Sequence, residues 1–218
     1  METVQQLETW HQELRIKALQ KALEKRGYAV FRTPTAAAAK NVVLGLVRDA
    51  DQTIGLPGSY TIRELGLPEE LEKRGKHVID HWDRTFVSPE ERAKVLRAEN
   101  AADVLITSVN AITEDGVMTW VSGTANNVAG ILFGPSRVII IAGANKIVPD
   151  QEGAIQRIRT IAAPMNARRL GLSVPCATTG TCMDCLPVHS ICKATVILTA
   201  RPALSDMTVV LVDEALGL

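Results

Sequence analysis

An α/β fold with a mostly parallel central sheet and flanking helices is what this 218-residue sequence predicts, on three observations. Strand-like apolar runs alternate with segments of helical periodicity along the chain, the pattern of repeated βαβ units. The run Val138–Ala142 (VIIIA) is β-branched and has no polar alternation, as expected of a strand covered on both faces. The hydrophobic share, 46%, suffices for a real core and excludes wholesale disorder, and no repeat or long linker divides the chain. The expected organisation is an N-terminal helical extension over 1–34 and one α/β domain over 35–218.

The elements follow in order. Residues 2–26 keep a helical beat through Val4, Leu7, Ile16, Leu19 and Leu23, with Gly27 as the stop. Tyr28–Phe31 reads as a strand, and Thr35 as the cap of a helix over Ala36–Arg48. A short strand after Asp51 leads into a Gly/Pro turn. Brief helices are expected around Ile62–Leu65 and Pro68–Arg74, then a strand over His77–Trp82. Ser88-Pro89-Glu90-Glu91 is a helix start, with Ser88 as N-cap and Glu91 completing a capping box. The second half is richer in strands: Val104–Val109, Val117–Val121, Val138–Ala142, Thr195–Thr199 and Met207–Val212. Between them Ile155–Ala163 carries a helical pattern that Pro164 interrupts.

Charge excludes one class of function. Lys plus Arg and Asp plus Glu each number 24, so the chain lacks the basic excess of a general nucleic-acid binder. The apolar stretch Val138–Ala144 is far too short for a membrane span of ~20 residues. The N-terminus lacks the charged and apolar regions of a signal peptide, so the expected compartment is the cytoplasm. No dinucleotide-binding glycine fingerprint, phosphate-binding P-loop, nucleophile elbow or zincin motif is present.

Four local signals carry chemistry. The strongest is Cys176-x5-Cys182-x2-Cys185-x6-Cys192, which holds all four cysteines of the chain. Thiolates are soft ligands, and four converging ones suit tetrahedral zinc or an iron–sulfur cluster; spacing alone does not choose between them. His189 could replace one cysteine around zinc, and unliganded thiols are the structural alternative. The second signal is Gly55-Leu-Pro-Gly58-Ser59-Tyr-Thr61, a strand-to-helix turn whose amides and hydroxyls could meet an anion, or a plain capped turn. The third is Asn110-Ala-Ile-Thr113-Glu114-Asp115-Gly116 after an apolar strand, where Asn110 and Thr113 are candidate ligands and Glu114 a candidate general base. Asp115-Gly116 reads as a hairpin turn. The fourth is Asn145-Lys146 after the most buried-looking strand, with Lys146 either meeting an anion or solvated. His77 and His81 read as structural, and His11 as a surface residue.

These blocks also carry a resemblance. Gly58-Ser-Tyr-Thr-Ile-Arg-Glu-Leu-Gly66, Asn110–Gly116, Asn126-Asn-Val-Ala129, Phe133-Gly-Pro135 and Val138–Ile147 resemble the lactate-utilisation (LUD) domain family from about residue 40 onward. One departure is visible: Asn127 stands where members of that family often carry arginine. The resemblance implies a fold similar to the CoA-transferase and sugar-phosphate isomerase group, loops that bind a small anionic metabolite (Asn126 among their residues), and association with other subunits of an iron–sulfur lactate-oxidising system. The chain resembles short stand-alone members with a cysteine loop. Three functions follow: an accessory or redox component of organic-acid oxidation with a four-cysteine metal or cluster site; an enzyme acting on a phosphorylated or CoA-linked substrate; or a zinc-stabilised binding or regulatory protein.

Overall fold

Alternation of fully apolar strands with half-apolar helices produces three layers in the computed structural model, which describes residues 2–82, 85–186 and 188–218. In chain order the elements are α1 (Val4–Lys25), β1 (Ala29–Thr33), α2 (Ala36–Leu46), β2 (Thr53–Leu56), α3 (Tyr60–Glu64), α4 (Leu67–Lys73), β3 (His77–Asp80), α5 (Pro89–Glu99), β4 (Val104–Ser108), β5 (Ala111–Thr113), β6 (Met118–Ser122) and α6 (Asn126–Phe133). There follow β7 (Arg137–Gly143), a 3-10 turn (Ala144–Lys146), β8 (Ile147–Val148), α7 (Gln151–Arg157), a π turn (Ile158–Ala162), α8 (Ala163–Arg169), α9 (Cys176–Thr179), β9 (Ala194–Leu198) and β10 (Asp206–Val212).

The central sheet has the order β1-β10-β7-β4-β2-β3, with every pairing parallel. Strand alternation sorts its side chains onto two faces. Leu105, Val138, Ile140, Val209 and Leu211 pack with Ile16, Leu19 and Leu23 of α1. Val104, Ile106, Ile139, Ile141 and Val210 pack with Val43, Ile62 and Leu71 of α2, α3 and α4. A mixed second sheet, β8-β5-β6-β9, covers the first face through Ile112, Met118 and Trp120. The strands over 117–121 and 195–199 are legible in the sequence; their separation into a second sheet is not, since it depends on the two- and three-residue strands β8 and β5. The boundary drawn after residue 34 falls between β1, an edge strand of the central sheet, and α2, which packs on that sheet. Residues of α1 lie in the same core.

Two local expectations need correction. Ser88 Oγ accepts from the Glu91 N–H at 3.2 Å, but the Glu91 carboxylate reaches one residue further back, accepting from Val87 N–H at 2.8 Å. Pro164 does not interrupt its helix, which continues as α8 to Arg169. Proline offers no N–H and its ring crowds the carbonyl of the preceding turn; the widened π turn immediately ahead of it absorbs both defects. Among the described residues, no helix is long and apolar enough to cross a membrane.

Candidate functional site

Three neighbouring strands of the central sheet, β2, β4 and β7, end on the same side, the usual place for ligands in a parallel sheet. Each contributes a residue just at or past its carboxyl end. Thr61 follows β2, Ser108 ends β4, and Lys146 follows β7. Lys146 is 2% exposed, and its Nζ donates to Ser108 Oγ at 2.6 Å and Thr61 Oγ1 at 2.8 Å. Thr61 Oγ1 in turn donates to Ser108 Oγ at 3.1 Å. Burial, with the Arg157 guanidinium adding to it, holds Lys146 down to about 7 against the opposing pull of Glu64. Among the described residues Lys146 makes no ion pair.

These groups open into a cleft of about 420 Å3. Its walls include Gly58, Ser59, Thr61, Asn110, Asn126 and Lys146, so two of the sequence loops and the buried lysine do converge. Lys146, Arg92 and Arg169 line it, and no acidic side chain does among the described residues. Arg169 stacks on Trp82 with its guanidinium carbon 4.0 Å from the ring centroid. The buried Oδ1 of Asn127, another wall residue, finds no donor among the described residues.

Other predicted residues do different work. The Gly58 N–H is already donated to Leu56 O at 2.8 Å, so that amide is not free for an anion. Asn110 Oδ1 accepts from Val121 N–H. Thr113 and Glu114 do not line the cleft. Thr113 Oγ1 accepts from Val117 N–H within the β5–β6 hairpin, and Glu114 pairs with Arg15 of α1 at 2.6 Å. The hairpin that Asp115-Gly116 makes turns both away from the strand ends. Asn145 ties down the final residues, accepting from Leu216 N–H and donating to Gly217 O. His77 and His11 are exposed.

One pair escaped the sequence reading. His81 lines the cleft, and its Nδ1 lies 2.6 Å from Oε1 of Glu99, a carboxylate with no exposure. Asn126 Nδ2 donates to the other oxygen at 3.3 Å. Burial pushes the Glu99 carboxyl up, and its bonds to His81 and Asn126 pull it back. A histidine in a cleft-edge strand segment was the available signal; its partner, 18 residues on at a helix end, was not.

A second cavity, about 730 Å3, is lined by all four cysteines, and none is in a disulfide. The loop is anchored beside the π turn: Cys182 N–H donates to Arg159 O at 2.8 Å, and Asp184 pairs with Arg159 at 2.7 Å. Partial burial, then the nearby Cys185 and Cys182, pushes the Cys176 thiol up. Tetrahedral zinc with bonds of ~2.3 Å would bring sulfurs to about 3.8 Å from one another. Among the described residues, Asp80, His81 and Glu99 form the only trio of such side chains with ligand atoms all within 4.8 Å, so the thiols share one cavity at wider spacing. Asp80 of that trio is held by Arg63. His189 is exposed and does not line the cavity. The cysteine cavity and the cationic cleft share Val121, Ala163 and Ile191 as walls.

Comparison with known proteins agrees with this architecture. No curated protein matches the chain. A solved DUF162 family protein from Deinococcus radiodurans shares the fold at a TM-score of 0.55 and 14% identity, over 93% of this chain and 98% of that one. The model of the LUD domain matches residues 16–212, a span that holds the described walls of the cleft except Leu218, the buried lysine and the whole cysteine loop. The chain therefore belongs to the LUD domain family.

Proposed function

We propose that this LUD protein serves lactate or related organic-acid oxidation as a redox component, with a small carboxylate in the cationic cleft and an iron–sulfur cluster in the cysteine cavity. One observation carries the reading. A cleft with three cationic side chains and no acidic one among the described residues shares a wall with a cavity lined by four free thiols. A buried ammonium without a counter-ion is costly, and an incoming carboxylate relieves that cost. Four thiolates are the donor set of an iron–sulfur cluster.

In this reading Cys176, Cys182, Cys185 and Cys192 hold the cluster, which supplies one-electron transfer when bound. Lys146 meets the substrate carboxylate, and the Ser108 and Thr61 hydroxyls keep the ammonium aimed at the cleft. Arg169, braced on Trp82, adds a second positive charge. Partners among other subunits of an oxidising system would accept the electrons.

The test is anaerobic purification from cells supplied with iron, followed by iron and acid-labile sulfide analysis. Iron and sulfide in matched amounts, with visible absorption that bleaches in air, are expected. Stoichiometric zinc without sulfide would overturn the cluster and leave the loop a structural zinc site. For the cleft, calorimetric titration with L-lactate should show binding that Lys146→Met removes.

A further inference from the structure

Two glycines make room for the His81–Glu99 pair. A Cβ at Gly55 would fall 2.0 Å from the Glu99 carbonyl oxygen, so only glycine lets the end of α5 lie this close to β2. At Gly58, where φ is +73°, a Cβ would fall 2.3 Å from Trp82 Nε1, 2.9 Å from His81 Cε1 and 3.1 Å from His81 Nε2. Gly55 thus permits the close approach of Glu99, and Gly58 lets the His81 and Trp82 rings pack directly against the turn. The His81 ring lines the cleft, and its distal nitrogen, Nε2, lies beside Gly58 and bonds to nothing among the described residues, while Nδ1 is committed to a carboxylate sealed from solvent. The Gly58–Thr61 segment has Nε2 against its first residue and the Lys146 ammonium on its last.

We infer that His81 and Glu99 form the acid–base dyad of the cleft, with His81 Nε2 as the group that takes a proton from the hydroxyl of a bound 2-hydroxy carboxylate. The inference rests on the reading that the cleft takes a small organic acid, and it names what that acid must carry besides its carboxylate. With Glu99 ionised, the Nδ1–H donates to Oε1, which leaves a free lone pair on Nε2 of a ring that lines the cleft. In the forward step the substrate O–H bond breaks, its electron pair stays on the oxygen, and an Nε2–H bond forms. The resulting imidazolium lies against the Glu99 carboxylate, and the reverse step returns the proton. Glu99 is a positioning residue: it fixes the tautomer and the ring orientation, and Asn126 holds its second oxygen.

Long-range proton–nitrogen correlation spectra of the protein labelled at histidine test this, with His81→Asn identifying the signals. The neutral ring of His81 should be the Nδ1–H tautomer, and Glu99→Gln should abolish that preference. L-lactate should shift the Nε2 resonance, and propionate, with the same carboxylate and no hydroxyl, should not. An Nε2–H tautomer in the wild-type protein would mean that the proton of the pair sits on Glu99, and overturns the dyad whether or not a probe binds. L-lactate binding that leaves Nε2 unmoved overturns it too. If neither acid binds, the organic-acid reading of the cleft falls, and with it the hydroxy-acid assignment, while the tautomer still decides whether Nε2 can act as a base.

Discussion

Lys146 Nζ lies 2.6 Å from Ser108 Oγ at the carboxyl end of the central sheet, and among the described residues its partners there are hydroxyls and not a carboxylate. A buried ammonium held only by hydroxyls costs the fold stability. In the unfolded chain the lysine keeps its ordinary value, near 10.5, while in the folded chain it is held to about 7. Between those values the unfolded chain binds the extra proton, so stability rises as pH rises from 7 toward 10.5 and is flat in this respect below 7. Each unit of displacement is worth roughly 1.4 kcal/mol. Lys146→Met should therefore be more stable than the wild type at pH 7, with the difference shrinking steadily toward pH 10. Urea unfolding of both proteins across that range measures it; a difference that stays constant with pH would contradict the buried, neutralised lysine.

Gly58→Ala tests the packing over His81 and Trp82. The added Cβ meets ring atoms inside van der Waals distance, and the positive φ adds strain of its own. A loss of about 1–3 kcal/mol is expected, together with a change in tryptophan fluorescence as Trp82 moves. Gly55→Ala should cost more, because the obstacle is the backbone carbonyl of Glu99 and not a side chain that can swing aside.

At the opposite end of the sheet, Asp51 and Arg137 form a largely buried ion pair. Arg137 also donates to Leu46 O at 2.8 Å, and Asp51 accepts from Arg48 N–H at 2.6 Å. Removing one partner strands the other charge, so Asp51→Ala should destabilise by about 3–5 kcal/mol in denaturant unfolding. Replacing both residues by apolar ones of similar size should cost much less than that.

How much of this was written in the sequence depends on how local each feature is. The central strands were legible because Val138–Ala142 is buried on both faces and carries no polar residue, and its neighbours β4 and β10 are mostly apolar. Thr61 and Lys146 were legible as polar residues a few positions after strands. Ser108 was not, since it closes an apolar run and looks like part of it. Glu114 was misleading for the opposite reason: it follows a strand, but the β5–β6 hairpin carries it round to Arg15 of α1. His81 and Glu99 come from different elements, brought together by the close approach of α5 to β2 at Gly55, and no spacing rule announces that. The cysteines announced themselves by density, but their wider spacing around a cavity of about 730 Å3 is a property of the fold.

If the cysteine loop holds the proposed cluster, metal retention and folding should be separable there. Its anchors to the rest of the protein include Cys182 N–H on Arg159 O, Asp184 on the exposed Arg159 guanidinium and Lys193 N–H on Ser122 O at 3.1 Å, so the loop is held by a few polar contacts and not by the core. The strands on either side are held by the core. In β9 Leu198 belongs to the core, and β10 contributes Val209, Val210 and Leu211 to the two faces of the central sheet. A bound group at the four thiols would thus cross-link a weakly held segment without touching the core. Cys182→Ser should abolish iron retention in anaerobically prepared protein and speed protease cleavage within residues 175–193 several-fold. The midpoint of global unfolding, measured for wild type and variant both stripped of metal, should move little, by about 0.5 kcal/mol or less. If the stripped variant instead loses several kcal/mol while the metal content of the untreated protein is unchanged, Cys182 is a packing residue and the loop holds no metal through it.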